Sequence, residues 1–184
     1  MGLKHHVCFA AVIGAIALVS CSTQSNVADP VLVENQKNPL QFVSLNEEKV
    51  VVGQTVYVPI YSHIYHYNSK DQVMNLSATL SIHNTDFANP IIVTSVRYYD
   101  TAGQLIRQDV ERPVALNPMA STSFFVAADD TRGGVGANFI VEWVAEEAVS
   151  DPVIEAVMIS TSGGQGISFI SSGKVIQQRG NPNR

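Results

Sequence analysis

The side chains of this 184-residue chain best equipped for chemistry crowd into residues 56–68, VYVPIYSHIYHYN, which hold four tyrosines and two histidines. His63 and His66 would suit zinc or copper, because neutral imidazole is a common ligand of both ions. The surroundings, however, read as a strand. Val56, Val58, Ile60 and Ile64 form an even, aliphatic set, while Tyr57, Tyr61, His63, Tyr65 and Tyr67 occupy the odd positions. Successive strand side chains point to opposite faces, so two histidines three apart diverge.

The segment that must position this strand comes directly after it. NSKD (68–71) carries turn residues. Beyond it, Leu76, Ala78, Leu80 and Ile82 alternate with Ser77, Thr79, Ser81 and His83, the pattern of a half-buried strand. Matching aliphatic to aliphatic predicts a long hairpin that pairs Ile64 with Leu76, Ile60 with Leu80 and Val58 with Ile82. His83 then falls opposite Tyr57, about 20 Å along the strand from His63 at roughly 3.3 Å per residue. Those histidines cannot share an ion, so no metal and no cofactor are expected. A metal-handling or hydrolytic role for His63, His66 and His83, with a further ligand from Asp129 or Asp130, is the alternative. Without a metal, Tyr57, Tyr61, His63, Tyr65 and His83 form an amphipathic surface that is the candidate binding face. Tyrosine offers large contact area with a polar tip, suited to a protein or glycan. Tyrosine also has high strand propensity and packs well on cross-strand neighbours, and for these residues that plainer reading is preferred.

Other motifs carry less chemistry. TRGGVG (131–136) and SGGQG (162–166) supply permissive backbone, but neither opens a helix, and SGK lacks the flanking residues of a phosphate-binding loop. Both read as turns or bulges. Asp129 and Asp130 with Arg132 suit a solvated loop ion pair and lack the alternating acidic spacing of a calcium loop. There is no Gly-x-Ser-x-Gly, no His-Glu-x-x-His and no paired-carboxylate motif. No catalytic residue is expected, and the domain is read as non-enzymatic.

The remaining elements are short and punctuated by Gly, Pro, Asn and Asp. IIVTSVRYYD, LIRQDV, STSFFVAAD, ANFIVEWVAEE, PVIEAVMIST and GISFISSGKVI all read as strands, and no segment holds a 3.6-residue period over twelve positions. The expectation is an all-β fold, a single sandwich of seven to nine strands over residues 42–177. Residues 178–184 read as a polar tail.

The N-terminus has a different character. Lys4 precedes an apolar run from Val7 to Val19, too short to span a bilayer, for which about eighteen residues are needed. It has the length of a signal-peptide core, so residues 1–20 are read as a leader. LVSC (18–21) resembles the bacterial lipobox, which implies cleavage between Ser20 and Cys21 and a diacylglyceryl group on Cys21. Buried acyl chains hold a protein on a membrane at about 0.8 kcal/mol per methylene. Residues 21–41 then serve as a tether. Ser22, in place of the aspartate that favours retention at the inner membrane, implies the outer membrane, facing the periplasm or the cell surface. Cys8 leaves with the leader and Cys21 carries lipid, so no cysteine remains for a disulfide or a thiolate site. The net charge of −5 and the scattered Lys and Arg give no footprint for nucleic acid.

The order of strands resembles immunoglobulin-like modules of the cell envelope. VYVPIYSHIYH, LSIHNTD, DDTRGGVGANFIVEW and GGQGISFISSGKVI further resemble, over about residues 54–176, a family of secreted bacterial proteins known only as a domain of unknown function. That resemblance implies a β-sandwich and no established activity; an envelope protein or glycan is the expected partner.

Overall fold

A computed structural model describes Gly2 and residues 40–161, 164 and 166–180. The rest of the leader, with Ser20, together with Cys21, the tether up to residue 39 and residues 181–184, lies outside the described residues. The chain divides after Glu34 into two units, and every described strand belongs to the second.

The described chain is built of strands. In order they are β1 (Leu40–Phe42), β2 (Val52–Pro59), β3 (His63–His66), β4 (Ser69–Asn75) and β5 (Ser77–His83). Next come β6 (Ile91–Tyr99), β7 (Leu105–Val110), β8 (Val114–Leu116) and β9 (Ser121–Val126). A 3-10 turn, Thr131–Gly136, leads into β10 (Asn138–Ala145), β11 (Val153–Ser160), β12 (Ile167–Ser172) and β13 (Lys174–Arg179). A larger sheet runs β1-β8-β6-β10-β2-β13, with β7 also on β6. A four-stranded sheet runs β12-β11-β5-β9, and β3 pairs with β4 alone. Neighbouring strands are antiparallel throughout. The fold is the expected all-β sandwich.

Alternation explains the core. Val56 and Val58 of β2, Phe139, Val141 and Trp143 of β10, and Val96 and Tyr98 of β6 form the inner face of the larger sheet, all buried. Leu80 and Ile82 of β5 with Ala156 and Met158 of β11 oppose them in the same cluster. Each fully buried large side chain contributes about 1.5–3 kcal/mol. In β6 the period of two slips between Val93 and Val96. Thr94 is extra against β10, and its Oγ1 donates to the Glu142 carbonyl at 3.1 Å.

The long hairpin of residues 56–83 does not form. β2 ends at Pro59, and β5 lies in the other sheet. Ile60 N–H donates to the Ala137 carbonyl at 2.9 Å and Ser62 N–H to the Gly134 carbonyl at 2.9 Å, so a loop takes the donors a continuous ladder would need. The hairpin is shorter, β3 on β4, and Ile64 meets Met74 instead of Leu76. Val58 and Ile60 share the core with Leu80 and Ile82. An aliphatic pattern matches equally well beside a strand or across a sandwich, and here the second holds.

Three shorter differences arise from the same registers. β1 takes Leu40 and Gln41 out of the expected tether, and β13 takes Gln178 and Arg179 out of the expected tail. GISFISSGKVI is two strands that change sheet at Gly173. A Cβ there would lie 2.6 Å from Val56 Cγ1 and 2.7 Å from the Ile154 carbonyl, so only glycine lets the chain cross so closely. The strand number exceeds seven to nine because this segment divides and because β1, β8 and the β3–β4 hairpin are separate short elements.

Candidate functional site

The β3–β4 hairpin is the most exposed concentration of aromatic side chains. Its two-residue loop is Tyr67-Asn68, closed by His66 opposite Ser69. Tyr67 has φ +55° and is 86% exposed. In that left-handed region a side chain other than glycine or asparagine costs about 1–3 kcal/mol, and such outliers gather at functional sites. The Tyr67 ring lies 4.4 Å from the His66 ring, while His63 and Tyr65 approach at 6.1 Å. Tyr65 and Val73, paired across the hairpin, are both about half exposed.

The TRGGVG loop holds this hairpin on the sandwich. Gly133 is buried, and a Cβ on it would fall 2.0 Å from Tyr98 Oη and 2.6 Å from Ser62 Oγ. Ser62 Oγ and Tyr98 Oη share a hydrogen bond of 3.1 Å, and burial raises the Tyr98 pKa above the ordinary phenol value. The Gly133 carbonyl accepts from both Thr101 N–H and Thr101 Oγ1 at 2.9 Å, and Gly136 N–H donates back to Thr101 Oγ1 at 2.9 Å. Asp130 caps the turn and accepts two hydrogen bonds of 2.8 Å from the Arg132 guanidinium. Those bonds hold its carboxyl below the ordinary range. TRGGVG is a structural tie, and Asp130 with Arg132 is the expected ion pair.

The five residues expected to share one face are distributed over separate elements. Tyr57 lies on the outer surface of the larger sheet, between Ile140 and Lys174. Tyr61, in the link from β2 to β3, packs edge-on against Phe169 of β12 at 5.9 Å. His63 and Tyr65 belong to the hairpin, and His83 lies at the far end of β5, where Nδ1 is 2.7 Å from Ser121 Oγ. The separation has one cause: the chain leaves the larger sheet at Pro59 and re-enters the sandwich on the opposite sheet at Ser77. Among the described residues no three His, Cys, Asp or Glu side chains come together as a metal site. His63, His66 and His83 are therefore not juxtaposed. Among the described residues no helix is long and apolar enough to cross a membrane.

Two features escaped the sequence reading. The first is a groove of about 480 Å³ on the outer surface of the larger sheet, floored by Gly53, Thr55 and Glu142 and walled by Leu45, Gln177 and Arg179. Glu142 is paired with Arg97 there, and Arg179 reaches Glu47 at 2.5 Å. The second is a polar tie at the end of the sandwich away from the hairpin. Asn84, 2% exposed, donates through Nδ2 to the carbonyls of Asn89, Leu116 and Asn117 at 2.9–3.1 Å. Its Oδ1 accepts from Asp86 N–H at 3.0 Å. Asp86 in turn accepts from the N–H groups of Ala88, Asn89 and Ser150, which depress its pKa. The signal for this tie was Asn-Thr-Asp directly after a strand, because Asx side chains bind backbone N–H groups two residues on.

Comparison with known proteins adds a family and no activity. No curated protein matches the chain. The crystal structure of Thermotoga maritima 1070 aligns with 66% of this chain and 92% of its own, at 11% identity and a TM-score of 0.37. The model of the family described as "Protein of unknown function (DUF3124)" matches residues 53–176, well over half of the chain, and the protein belongs to that family.

Proposed function

We propose that this protein is a lipid-anchored component of the bacterial cell envelope, held on the outer membrane through Cys21, whose sandwich is a non-enzymatic binding or structural module. The anchoring half is supported by LVSC directly after an apolar run. The binding half is carried by Tyr67. A large, exposed aromatic occupies a backbone conformation that glycine would adopt without cost, and the strain serves no packing purpose in the core. The binding end is the hairpin, with Tyr65, Tyr67, His63 and His66 offered to a protein or glycan of the envelope.

The directions of the strands favour this arrangement. β2 and β10 pair Val52 with Ala145 at one end and Pro59 with Asn138 at the other. Leu40 pairs with Leu116, and Arg179 with Gly53, so the described chain begins and ends away from the hairpin.

Replacing Cys21 with Ala should leave the protein unlipidated and its leader uncleaved. Metabolic labelling with a radioactive fatty acid, followed by membrane fractionation, reads both. Unchanged labelling and membrane association in the variant would overturn the anchor.

A further inference from the structure

We infer that the outer surface of the four-stranded sheet is a contact between two copies of this chain, packed face to face about a two-fold axis parallel to the strands. The strand registers set its outward side chains in transverse rows. One row crosses all four strands as Phe125, Thr79, Val157 and Ile170. Phe125 and Ile170, at its ends, are 59% and 60% exposed. Ile159, one row away on β11, is 47% exposed. The row on the other side reads Ser123, Ser81, Glu155 and Ser172. Glu155 is thus the one carboxylate on these rows, on a chain of net charge −5. Elsewhere that charge keeps copies apart, and here it is nearly absent.

The pattern is self-complementary. An axis midway between β5 and β11 lays β9 of one copy over β12 of the other and keeps each row on itself. Phe125 then meets Ile170 of the second copy, Val157 meets Thr79, and Glu155 meets the Ser81 hydroxyl in place of a second carboxylate. Facing sheets pack about 10 Å apart, room for one interleaved layer of such side chains.

Size decides the strength. Four strands about 4.8 Å apart and about seven residues long make a patch of roughly 20 by 23 Å. That is about fourteen outward side chains, against about 20–30 per partner in a standard interface. The contact is therefore a weak, concentration-dependent dimer with Kd on the order of micromolar, and not an obligate one. It stands independently of the lipid anchor.

The test is sedimentation equilibrium of the full chain in density-matched detergent, comparing wild type, Phe125→Lys, Ile170→Glu and an equimolar mixture of the two variants. Wild type should titrate between monomer and dimer. Each variant alone should dimerise at least about tenfold more weakly, since it buries a charge against an apolar side chain twice per dimer. The mixture should recover dimer, because one contact becomes lysine against glutamate and the other remains Phe125 against Ile170. Should a charged variant fail to fold by circular dichroism, Phe125→Gln and Ile170→Gln must each weaken the dimer instead. A monomeric wild type at the highest concentration, a dimer indifferent to these substitutions, or a mixture of folded variants that stays monomeric would each overturn the inference. So would a monomer that binds insoluble polysaccharide through Phe125, which would assign the face to a glycan.

Discussion

The two ends of the sandwich are tied by different chemistry. At the hairpin end the tie is uncharged and close-packed: Ser62, Tyr98, Gly133 and Thr101 interlock at distances that leave no room for a Cβ on Gly133. At the end where the described chain begins and finishes, the tie is a set of Asx side chains. Asn84 gathers three carbonyls, Asp86 gathers three N–H groups, and Asp151 accepts from Gln54 at 3.0 Å. The first is a steric lock with little titratable chemistry, and the second has a carboxylate at its centre. A strained, exposed hairpin needs a rigid seat, whereas loops joined by backbone hydrogen bonds to a carboxylate can loosen with acid.

Either tie can be cut by a single substitution. Gly133→Ala should have the largest effect, a loss of about 3 kcal/mol or more, because Tyr98 and Ser62 must both move. Urea unfolding monitored by Trp143 fluorescence would measure it, and a loss under about 1 kcal/mol would mean the lock is loose. Asn84→Ala should cost about 2–3 kcal/mol, since it strips a buried donor from three carbonyls and an acceptor from Asp86 N–H. The same unfolding curves would show it, and an unchanged midpoint would mean that water replaces the amide. Tyr67→Gly should leave stability unchanged or raise it by up to about 1 kcal/mol, because glycine relieves the left-handed strain. Its thermal midpoint would show this, and a clear destabilisation would mean that Tyr67 is there for packing.

Acid separates the two ends by the smallest effect. The Asp86 carboxyl is held below its ordinary value of 3.8 by the N–H groups of Ala88, Asn89 and Ser150. The Asp130 carboxyl is held below the same value by Arg132. A lowered folded pKa means stability that is complete above 3.8 and is lost as the pH falls through the folded value. Asp86 joins separate loops, while Asp130 and Arg132 are two residues apart in one loop. Asp86→Asn should therefore flatten the acid limb of a stability-versus-pH curve more than Asp130→Asn does. The reverse order would place the titrating tie at the hairpin end.

Most of the fold was legible because period-two alternation is strong in segments such as Leu76–His83 and Asn138–Ala145. What alternation cannot tell is which strand lies beside another and which lies across the core. Val58, Ile60, Leu80 and Ile82 satisfied a false hairpin for that reason. Pro59 was the available warning, since it has no N–H to continue a ladder. The candidate site was legible only in part. VYVPIYSHIYHYN did mark the exposed tyrosines Tyr65 and Tyr67, but Tyr57 and Tyr61 went to other surfaces once the strand broke. Tyr67 could not be singled out, because a positive φ on tyrosine has no sequence signature. The segments that carried the family resemblance hold residues of the two ties and the Gly173 crossing, so they record the corners of the fold.

Photo-crosslinking in cells would decide whether the hairpin is the binding end proposed for this protein. A photoreactive amino acid would replace Tyr67 at the hairpin tip or Asn117 at the other end, and adducts would be resolved by mass after irradiation. The expected outcome is a discrete adduct with an envelope component from position 67 and none from position 117. An adduct from position 117 alone would contradict a binding role for the hairpin.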